Sequence, residues 1–384
     1  MVAKRLTILQ VLPELQGGGV ERGTLEVAKF LHDQGHLSHV VSAGGRMVAA
    51  LTESGSVHHR LQVAGKNLRS LWSVIAFRRL LLKLNPDVVH VRSRVPGWVT
   101  ELAYRTLPVE YRPVRVSTFH GFYSVNRYSA VMTKGARVIA VSHTISDHIQ
   151  SAYGIPESRI TVIPRGIDPV IYDPQRITRE EREAQRRVWQ VTDPDVPVLL
   201  LPGRFTRLKG HGLLLLALAE LTDLPWVLVF LGDHEEHPGY TVELLELAEK
   251  LGVRGRLLTP GHTDGMPLAY AAADLVLNTS TTPESFGRTA VEAMAMGRPV
   301  VVSGHGGSME TVLHDQTGWH FAPGDKNDLA RTLKTALSEK DRWPGMGITA
   351  RNHVVSHFTL QTMCADTLAV YVDVLAEKHG NLRR

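Results

Sequence analysis

Short apolar runs alternate with longer helical patterns along most of this 384-residue chain, and this alternation restricts the possible folds more than any other feature. No hairpin turn motif joins successive apolar runs, so the alternation predicts βαβ units and a mostly parallel sheet. The strand-like runs of the first half are residues 6–12, 39–42, 88–91, 114–118 and 137–141.

The alternation is interrupted once and then starts again. Pro164, Pro169 and Pro174 are followed by a charged run at residues 176–187, a composition typical of an interdomain connection. Strand-like runs then return, and a helical pattern at residues 359–378 follows them. The runs of the second half are residues 196–201, 226–231, 256–259, 275–278 and 299–303.

The sequence therefore predicts an α/β protein with two doubly wound, Rossmann-like domains facing each other across a cleft. Residues 1–168 form the first predicted domain and residues 169–355 the second. A C-terminal helix within residues 356–384 is expected to pack back on the first. Strand C-termini and helix N-termini converge at such a cleft, so we expect the functional residues there.

Composition excludes several classes of protein. The 43 Lys and Arg residues against 38 Asp and Glu residues leave a net charge of only +5, too small an excess to indicate nucleic-acid binding. The single cysteine, Cys364, allows no internal disulfide. No run approaches the roughly 20 apolar residues of a membrane span. Gln10 interrupts the first apolar run, so we expect a strand there rather than a signal peptide, and a cytoplasmic protein.

Two glutamates, Glu284 and Glu292, lie in the segment from Pro283 to Val300. Eight positions on one helix correspond to about 80° of rotation and about 12 Å of rise, further apart than the paired carboxylates of a glycosidase. This spacing suits a long ligand with hydroxyls at both ends, such as a sugar nucleotide. Backbone N–H groups of residues 287–289 would form an anion site at a helix N-terminus. The alternative is two solvated glutamates on a surface helix.

Two cations, Arg204 and Lys209, follow a predicted strand in the segment 201–212. A guanidinium can grip two phosphate oxygens, and a lysine adds a compact charge. The spacing differs from the Gly-x4-Gly-Lys-Ser/Thr loop of nucleoside triphosphatases, which excludes that class. The alternative is a pair of solvated loop cations.

A third segment places three glycines, Gly17–Gly19, between the first strand and the first helix. They would let the backbone approach a ligand closely, although a plain tight turn is the alternative. Arg22 stands where a nicotinamide-binding fingerprint has its third glycine, which weighs against a dehydrogenase.

His120 ends a predicted strand, where it could bond a sugar hydroxyl or be an ordinary structural histidine. The grouping His234-Glu-Glu-His237 lacks the zinc-protease spacing, and no nucleophile elbow is present. We expect no metal and no cofactor.

In chain order, these segments resemble family 4 of the retaining glycosyltransferases, which have the GT-B fold. The resemblance covers nearly the whole chain, and it favours the bacterial type that builds lipopolysaccharide core or lipid-linked glycans. The matching segments are Gly17–Gly19, Phe119-His-Gly121, Val141-Ser-His143, Ile163-Pro-Arg-Gly-Ile-Asp168, Gly203-Arg-Phe205 with Lys209-Gly210, Pro260-Gly-His262, Glu284-x7-Glu292 and Gly318.

The resemblance implies a role for each matching residue. Arg204 and Lys209 would hold the donor diphosphate, Glu284 would bond the transferred sugar and Glu292 the ribose. His120 would orient the donor sugar. The remaining implied donor-binding residues are Gly18, Gly19, His262, Gly287, Arg288 and Thr289.

The implied reaction is metal-independent and retains the anomeric configuration, with the leaving phosphate helping to deprotonate the acceptor. The expected donor is a UDP-sugar, with GDP-mannose next. Two positions depart from the family pattern: Met309 replaces the usual proline before the acidic residue Glu310, and Arg165 stands where asparagine is more common. Both departures bear on sugar preference.

The acceptor is expected to be a glycan or lipid-linked molecule, bound by the first domain. Arg92, Arg94 and Arg127 lie near predicted strand ends and could bind an acidic or phosphorylated group. The helical segment 66–83 mixes Trp72 and Phe77 with five basic residues. Such a helix can lie on an anionic membrane at the cytosolic face, or it can simply pack on the core.

Two rival functions remain open from the sequence. One is another GT-B enzyme, such as a sugar-nucleotide epimerase or a glycogen-synthase-like polymerase. The other is a two-lobed protein that binds a sugar between its domains without chemistry.

Overall fold

The computed structural model describes residues 5–63 and 69–381, and these form two compact units. Unit 1 lies within Met1–Arg165 and Leu360–Arg384, and unit 2 is Gly166–Thr359. The junctions are a few residues from the boundaries that the sequence indicates, at 168/169 and 355/356.

Unit 1 contains a seven-stranded sheet, ordered β3-β2-β1-β4-β5-β6-β7, whose neighbouring strands all pair in parallel. Chain order reverses between β1 and β4, and such a reversal is where open α/β sheets bind ligands. The strands are β1 Thr7–Val11, β2 Leu37–Ser42, β3 Val57–Arg60, β4 Val88–Val91, β5 Val114–Phe119, β6 Arg137–Ala140 and β7 Ile160–Val162. The helices are α1 Gly19–Asp33, α2 Val48–Glu53, α3 Arg69–Leu84, α4 Arg94–Arg105 and α5 His143–Tyr153.

Unit 2 repeats this plan with a six-stranded parallel sheet, ordered β10-β9-β8-β11-β12-β13. Here the order reverses between β8 and β11. The strands are β8 Val198–Pro202, β9 Val227–Leu231, β10 Leu257–Gly261, β11 Leu275–Asn278, β12 Val300–Ser303 and β13 Gly318–Phe321. The helices are α6 Arg179–Val188, α7 His211–Leu218, α8 Pro238–Lys250, α9 Met266–Ala272, α10 Arg288–Ala295, α11 Ser308–Thr311, α12 Lys326–Ser338 and α13 Trp343–His357.

The apolar runs form strands because parallel strands are covered on both faces. Every residue of β8, β11 and β12 is buried, and so is every residue of β4. The prediction of two doubly wound α/β domains is therefore confirmed. Three strands at sheet edges were not predicted from the sequence: β3, β7 and β13.

The last helix, α14 Leu360–Asn381, belongs to unit 1. It contacts α1 and β5, and its Tyr371 is fully buried. The Tyr371 hydroxyl lies 2.5 Å from Nδ1 of His90, and Nε2 of that histidine lies 2.7 Å from the Thr118 hydroxyl. A buried polar chain thus joins the helix to the sheet.

The charged run 176–187, interpreted above as part of an interdomain connection, forms most of a helix instead. Thr178 and Glu181 make a reciprocal capping box at the start of α6. The helix packs on α9, and Arg186 makes an ion pair with Asp274. Charge misled the interpretation because every residue of α6 remains at least partly exposed.

Helix α3 begins at Arg69, so the part of the predicted membrane helix that contains Lys66 lies outside the described residues. Phe77 is fully buried in the core, whereas Trp72 is 74% exposed. Throughout the described ranges, every helix is too short or too polar to cross a bilayer.

Candidate active site

The strongest constellation lies at the carboxyl edge of the unit 2 sheet, where the strand order reverses. Lys209 follows β8, and Glu284 lies in the loop between β11 and α10. The Lys209 ammonium donates a hydrogen bond to Glu284 Oε1 at 2.6 Å. The hydroxyl of Ser280 also lies 2.6 Å from that oxygen. Residues 75 positions apart in sequence therefore form one polar cluster.

The ion pair fixes the charge of the Glu284 carboxyl. Burial raises its pKa, but the Lys209 ammonium and the hydrogen bonds from Lys209 and Ser280 outweigh burial. The pKa consequently lies below its ordinary value, and Glu284 is a carboxylate at neutral pH. His305, after β12, also lowers the pKa of Glu284 electrostatically. Its Nε2 lies 3.0 Å from the Ser280 carbonyl oxygen.

Two glycines allow the loops of this cluster to approach each other. Gly210 has φ +73°, and a Cβ there would lie 1.9 Å from the Thr279 carbonyl oxygen. Gly306 has φ +61°, and its Cβ would lie 2.4 Å from the Glu284 carbonyl oxygen. A side chain at either position would push the cation-bearing or the carboxylate-bearing loop away.

The second carboxylate, Glu292, is buried in α10 and held at both oxygens. Arg288 donates to Oε1 at 2.8 Å, and the Tyr270 hydroxyl donates to Oε2 at 3.0 Å. Burial raises the pKa of Tyr270 well above its ordinary range, and the Glu292 charge adds to this, so Tyr270 stays a proton donor. Gly287, with φ +85°, caps the N-terminus of α10.

Two of the predicted donor-binding residues lie in loops at the same edge and are exposed. Arg204 follows β8 and makes no salt bridge with any residue that the structure describes. His262 follows β10, and its Nε2 lies 3.3 Å from Asp264. Thr289 is half-buried in the first turn of α10.

In unit 1, the predicted glycine loop and His120 also lie at a carboxyl edge. Gly18 has φ +138° and caps α1. Arg165 connects the two features, since its guanidinium donates to the Gly19 carbonyl at 3.2 Å and lies 2.8 Å from Nδ1 of His120. Arg165, where the family more often has asparagine, thus contacts two predicted site residues.

This contact defines the tautomer of His120. A guanidinium only donates, so Nδ1 accepts and the neutral ring carries its proton on Nε2. Burial, together with the charges of Arg165 and Arg92, holds the pKa of His120 well below its ordinary range. Nε2 is buried and has no hydrogen-bond partner among the described residues. It is therefore a spare donor.

The three predicted acceptor arginines are placed differently from one another. Arg92 is buried, and both Nε and a terminal nitrogen donate to the Gln10 side chain, so it supports the interior of unit 1. Arg94 is half-buried, with its guanidinium 4.9 Å from the ring centre of Tyr123 and 5.5 Å from that of Tyr128. Arg127 is exposed.

Three residues of these clusters were not predicted from the sequence: Tyr270, Ser280 and His305. Ser280 follows β11 at the carboxyl edge, a position that could have identified it. Tyr270 and His305 carry no local motif, because their partners lie 22 and 25 residues away in the chain. Within the described ranges, no group of three or more His, Cys, Asp or Glu side chains could hold a metal ion.

We predict that Lys209→Met destabilises unit 2 by about 1–3 kcal/mol at neutral pH, because it leaves a largely buried carboxylate without its cation. The depressed pKa of Glu284 means that its pairing stabilises the fold above the ordinary carboxyl pKa. That contribution disappears as the pH falls through the lower folded-state value. Urea unfolding from pH 7 to pH 3 should show that the difference in free energy of unfolding between wild type and variant decreases as the pH falls.

The matched control is Lys326→Met, which breaks a surface ion pair with Glu220 in the same unit. Exposed pairs contribute about 0.2–1 kcal/mol, so this change should be small at every pH. Equal losses in the two variants would contradict a special role for Lys209.

Comparison with known proteins assigns both halves of the chain. Residues 17–170 match the model described as Glycosyltransferase Family 4, and residues 181–353 match Glycosyl transferases group 1. A crystal structure of a glycosyltransferase from Rickettsia africae is 33% identical, with a TM-score of 0.89 over 97% of this chain and 99% of that one.

Two further proteins are similar over nearly their whole length. N-acetyl-alpha-D-glucosaminyl L-malate synthase of Bacillus anthracis is 25% identical over 96% of this chain and 97% of its own. Anabaena HepE, in complex with UDP and glucose, shares the fold with a TM-score of 0.82 at 24% identity, over 95% of this chain and 100% of that one.

These relatives favour a transferase over the epimerase and sugar-binding alternatives. Matches in both halves and a solved relative that spans the chain agree with the two doubly wound units. The chain belongs to the family 4 glycosyltransferases, which have the GT-B fold.

Proposed function

We propose that this enzyme transfers a sugar from a nucleotide-diphosphate sugar to a hydroxyl of an anionic acceptor. The observation that carries the proposal is the Lys209–Glu284 pair at 2.6 Å, at the switch point of the unit 2 sheet. Lys209 can bind a phosphate, and the adjacent Glu284 carboxylate can accept hydrogen bonds from sugar hydroxyls. A glycosyl phosphate has both groups next to each other. Arg204 in the same loop adds a guanidinium free of salt bridges within the described residues.

The chemistry follows from charge. Breaking the bond between sugar and phosphate leaves negative charge on the diphosphate and positive charge on the sugar. Arg204, Lys209 and the N–H groups at the start of α10 stabilise the first. The Glu284 carboxylate accepts hydrogen bonds from the sugar. The leaving phosphate takes the acceptor proton, the configuration is retained, and the reaction needs no metal.

The other residues orient the donor. Each oxygen of the Glu292 carboxylate accepts one side-chain hydrogen bond, from Arg288 or from the Tyr270 hydroxyl. Both oxygens keep lone pairs that accept the ribose hydroxyls. His120 donates its Nε2 proton to a hydroxyl of the transferred sugar. Gly18, Gly19 and His262 bring backbone and ring groups to the phosphates and the base. The favoured donor is a UDP-sugar, supported by the UDP and glucose bound to HepE, with GDP-mannose next.

The proposed acceptor carries a carboxylate or a phosphate. Arg94 and Arg127 are accessible in unit 1, and the Bacillus anthracis relative is named for L-malate, a dicarboxylate. Arg92 is excluded from direct contact by its burial. A phosphorylated lipopolysaccharide core or a lipid-linked glycan precursor meets the same requirement and would give the enzyme a role in the cell envelope.

We expect Arg204→Ala to lower turnover by about 10²–10³, the loss typical of one group that stabilises developing negative charge. Arg204 is exposed, so the variant should fold normally. Arg207→Ala is the matched control, since it removes the same charge from the same loop. The Arg207 guanidinium instead pairs with Glu243 and lies 5.0 Å from the ring centre of Tyr240. Release of UDP from a panel of UDP-sugars, with malate or a phosphorylated glycan as acceptor, measures the rates.

Two results would contradict the proposal. One is equal turnover of Arg204→Ala and Arg207→Ala. The other is conversion of the donor sugar without any acceptor, which would indicate an epimerase. Dependence of UDP release on the acceptor separates a transferase from that alternative.

Helix α3 supports a further part of the proposal, a position at the cytosolic face of the membrane. Its Phe77 and Leu81 pack into the core, whereas Trp72, Ile75, Arg79 and Lys83 recur at helical spacing on its exposed side. An exposed tryptophan beside two cations is typical of a helix that rests on anionic lipid.

We expect the protein to float with phosphatidylglycerol vesicles, and Arg79→Gln/Lys83→Gln to weaken this binding at least about tenfold, since each cation near the surface contributes about 1 kcal/mol. Arg78 is left unchanged because its guanidinium donates to the Thr106 carbonyl. Arg331→Gln/Lys334→Gln on α12 is the control of equal charge. Vesicle binding that is equally strong in wild type and in both double variants would contradict the membrane role of α3.

A further inference from the structure

A cavity of about 660 Å³ lies at the amino edge of the unit 2 sheet. Asp274 directly precedes β11, and Arg298 lies two residues before β12, so both stand where these strands begin. Lys209 and Glu284 follow the ends of strands β8 and β11 of the same sheet. Because all these strands are parallel, the cavity and the candidate active site are at opposite edges of unit 2. The lining residues are Arg179, Arg182, Glu183, Arg186, Arg187, Val191, Thr192, Asp193, Pro194, Ala271, Asp274 and Arg298.

The cavity is strongly basic, with five arginines against three carboxylates. Four of the arginines come from α6. Positions 179, 182 and 186 have the three- and four-residue spacing that places side chains on one helix face, and position 187 flanks them. The fifth, Arg298, reaches the cavity from the sheet side.

The carboxylates of the cavity already have partners. Both oxygens of Asp274 accept from Arg186 at 2.6 Å, and one also accepts from the Val198 backbone at 2.8 Å. Glu183 pairs with Arg179 at 2.7 Å. The Asp193 side chain accepts from the Asp195 backbone at 2.9 Å.

Three arginines of the cavity are therefore left without an ion-pair partner. Arg182, Arg187 and Arg298 make no salt bridge with any of the described residues. The Nε atoms of Arg182 and Arg298 are, in addition, buried without a hydrogen-bond partner. A buried donor without an acceptor is costly, so two such donors beside a cavity indicate an anion that supplies the acceptors.

The electrostatics agree with this geometry. The pKa of Arg298 is lowered to about 10, chiefly by burial and also by the charges of Arg182 and Arg186, against the opposing effect of Asp274. The guanidiniums thus repel one another, and an anion between them would relieve the repulsion.

A purely structural role explains only part of the cluster. Arg186 donates to the Ala272 carbonyl at 2.9 Å and Arg298 to the Ala271 carbonyl at 2.6 Å, so both cap the C-terminus of α9. The side chains of Arg182 and Arg187 have no such carbonyl partner within the described residues. Capping therefore leaves two of the five cations unexplained.

We propose that this cavity is a second anion site, which binds the phosphoryl group of a small organic phosphate through Arg182, Arg187 and Arg298. Guanidiniums match the oxygens of a phosphate as forks, and a dianion balances the excess positive charge. The volume is in the range of small-molecule sites, about 300–1,000 Å³. Val191, Pro194 and Ala271 supply an apolar wall for the organic part. The headgroup of an anionic lipid carries the same phosphoryl chemistry.

Calorimetry with glycerol 3-phosphate tests the site. The titrations use the Arg204→Ala background, so that a phosphate bound at the opposite edge contributes less. We expect one saturable site, weakened at least about tenfold by Arg187→Gln or Arg182→Gln, as expected for the loss of a charge-assisted hydrogen bond. Arg187 is exposed, so its substitution should leave the fold intact even if that of Arg182 does not.

Arg331→Gln, an exposed arginine on α12, is the control and should leave binding unchanged. Flotation with phosphatidic acid vesicles distinguishes the source of the phosphoryl group. It is measured in the Arg79→Gln/Lys83→Gln background, which weakens binding through α3. Loss of flotation in Arg187→Gln without soluble binding assigns the site to a lipid headgroup, and soluble binding assigns it to a free phosphate. The proposal is overturned if neither probe binds, or if Arg187→Gln and Arg331→Gln behave alike in both assays.

Discussion

The 2.6 Å contact between the Lys209 ammonium and Glu284 joins two loops of unit 2. One loop follows β8 and the other follows β11, and these strands are neighbours in the sheet. The chain continues from β8 to β9 on one side and from β11 to β12 on the other. Strand order creates the opening between these loops, and the ion pair fixes their side chains across it. The two glycines behind the pair, Gly210 and Gly306, make the approach possible. The charge state of Glu284 depends on this arrangement, because the Lys209 ammonium and its hydrogen bond hold the pKa of the carboxyl below its ordinary value.

Much of this could be predicted from local sequence. The βα alternation identified both sheets, and the residues after β8 and β11 were expected at the site because carboxyl strand ends converge. The ion pair itself could not be read from the sequence, since its partners are 75 residues apart. The same holds for the contact of Arg165 with His120 and for that of Tyr270 with Glu292, which depend on tertiary packing.

The differences between the sequence-based predictions and the structure have physical causes. Edge strands such as β3 are short and half-exposed, so they lack the continuous apolar run of a central strand. Helix α6 can be highly charged because no residue in it is fully buried. Its capping box, which indicates a helix start, lies within the charged run and was not recognised. Arg92 follows β4 as an acceptor-binding residue would, yet its guanidinium is used inside unit 1 by Gln10. The position of a residue at a strand end does not determine whether its side chain faces a ligand or the interior of the protein.

We propose that the loop cations of unit 2, Arg204 and Lys209, bind the diphosphate of the donor. The most direct test is calorimetric titration of UDP and of uridine into wild type and into Arg204→Ala/Lys209→Ala. We expect wild type to bind UDP far more tightly than uridine, and the double variant to lose this difference while it keeps uridine binding. Equal preference for UDP over uridine in both proteins would contradict it, because the diphosphate would then be held elsewhere.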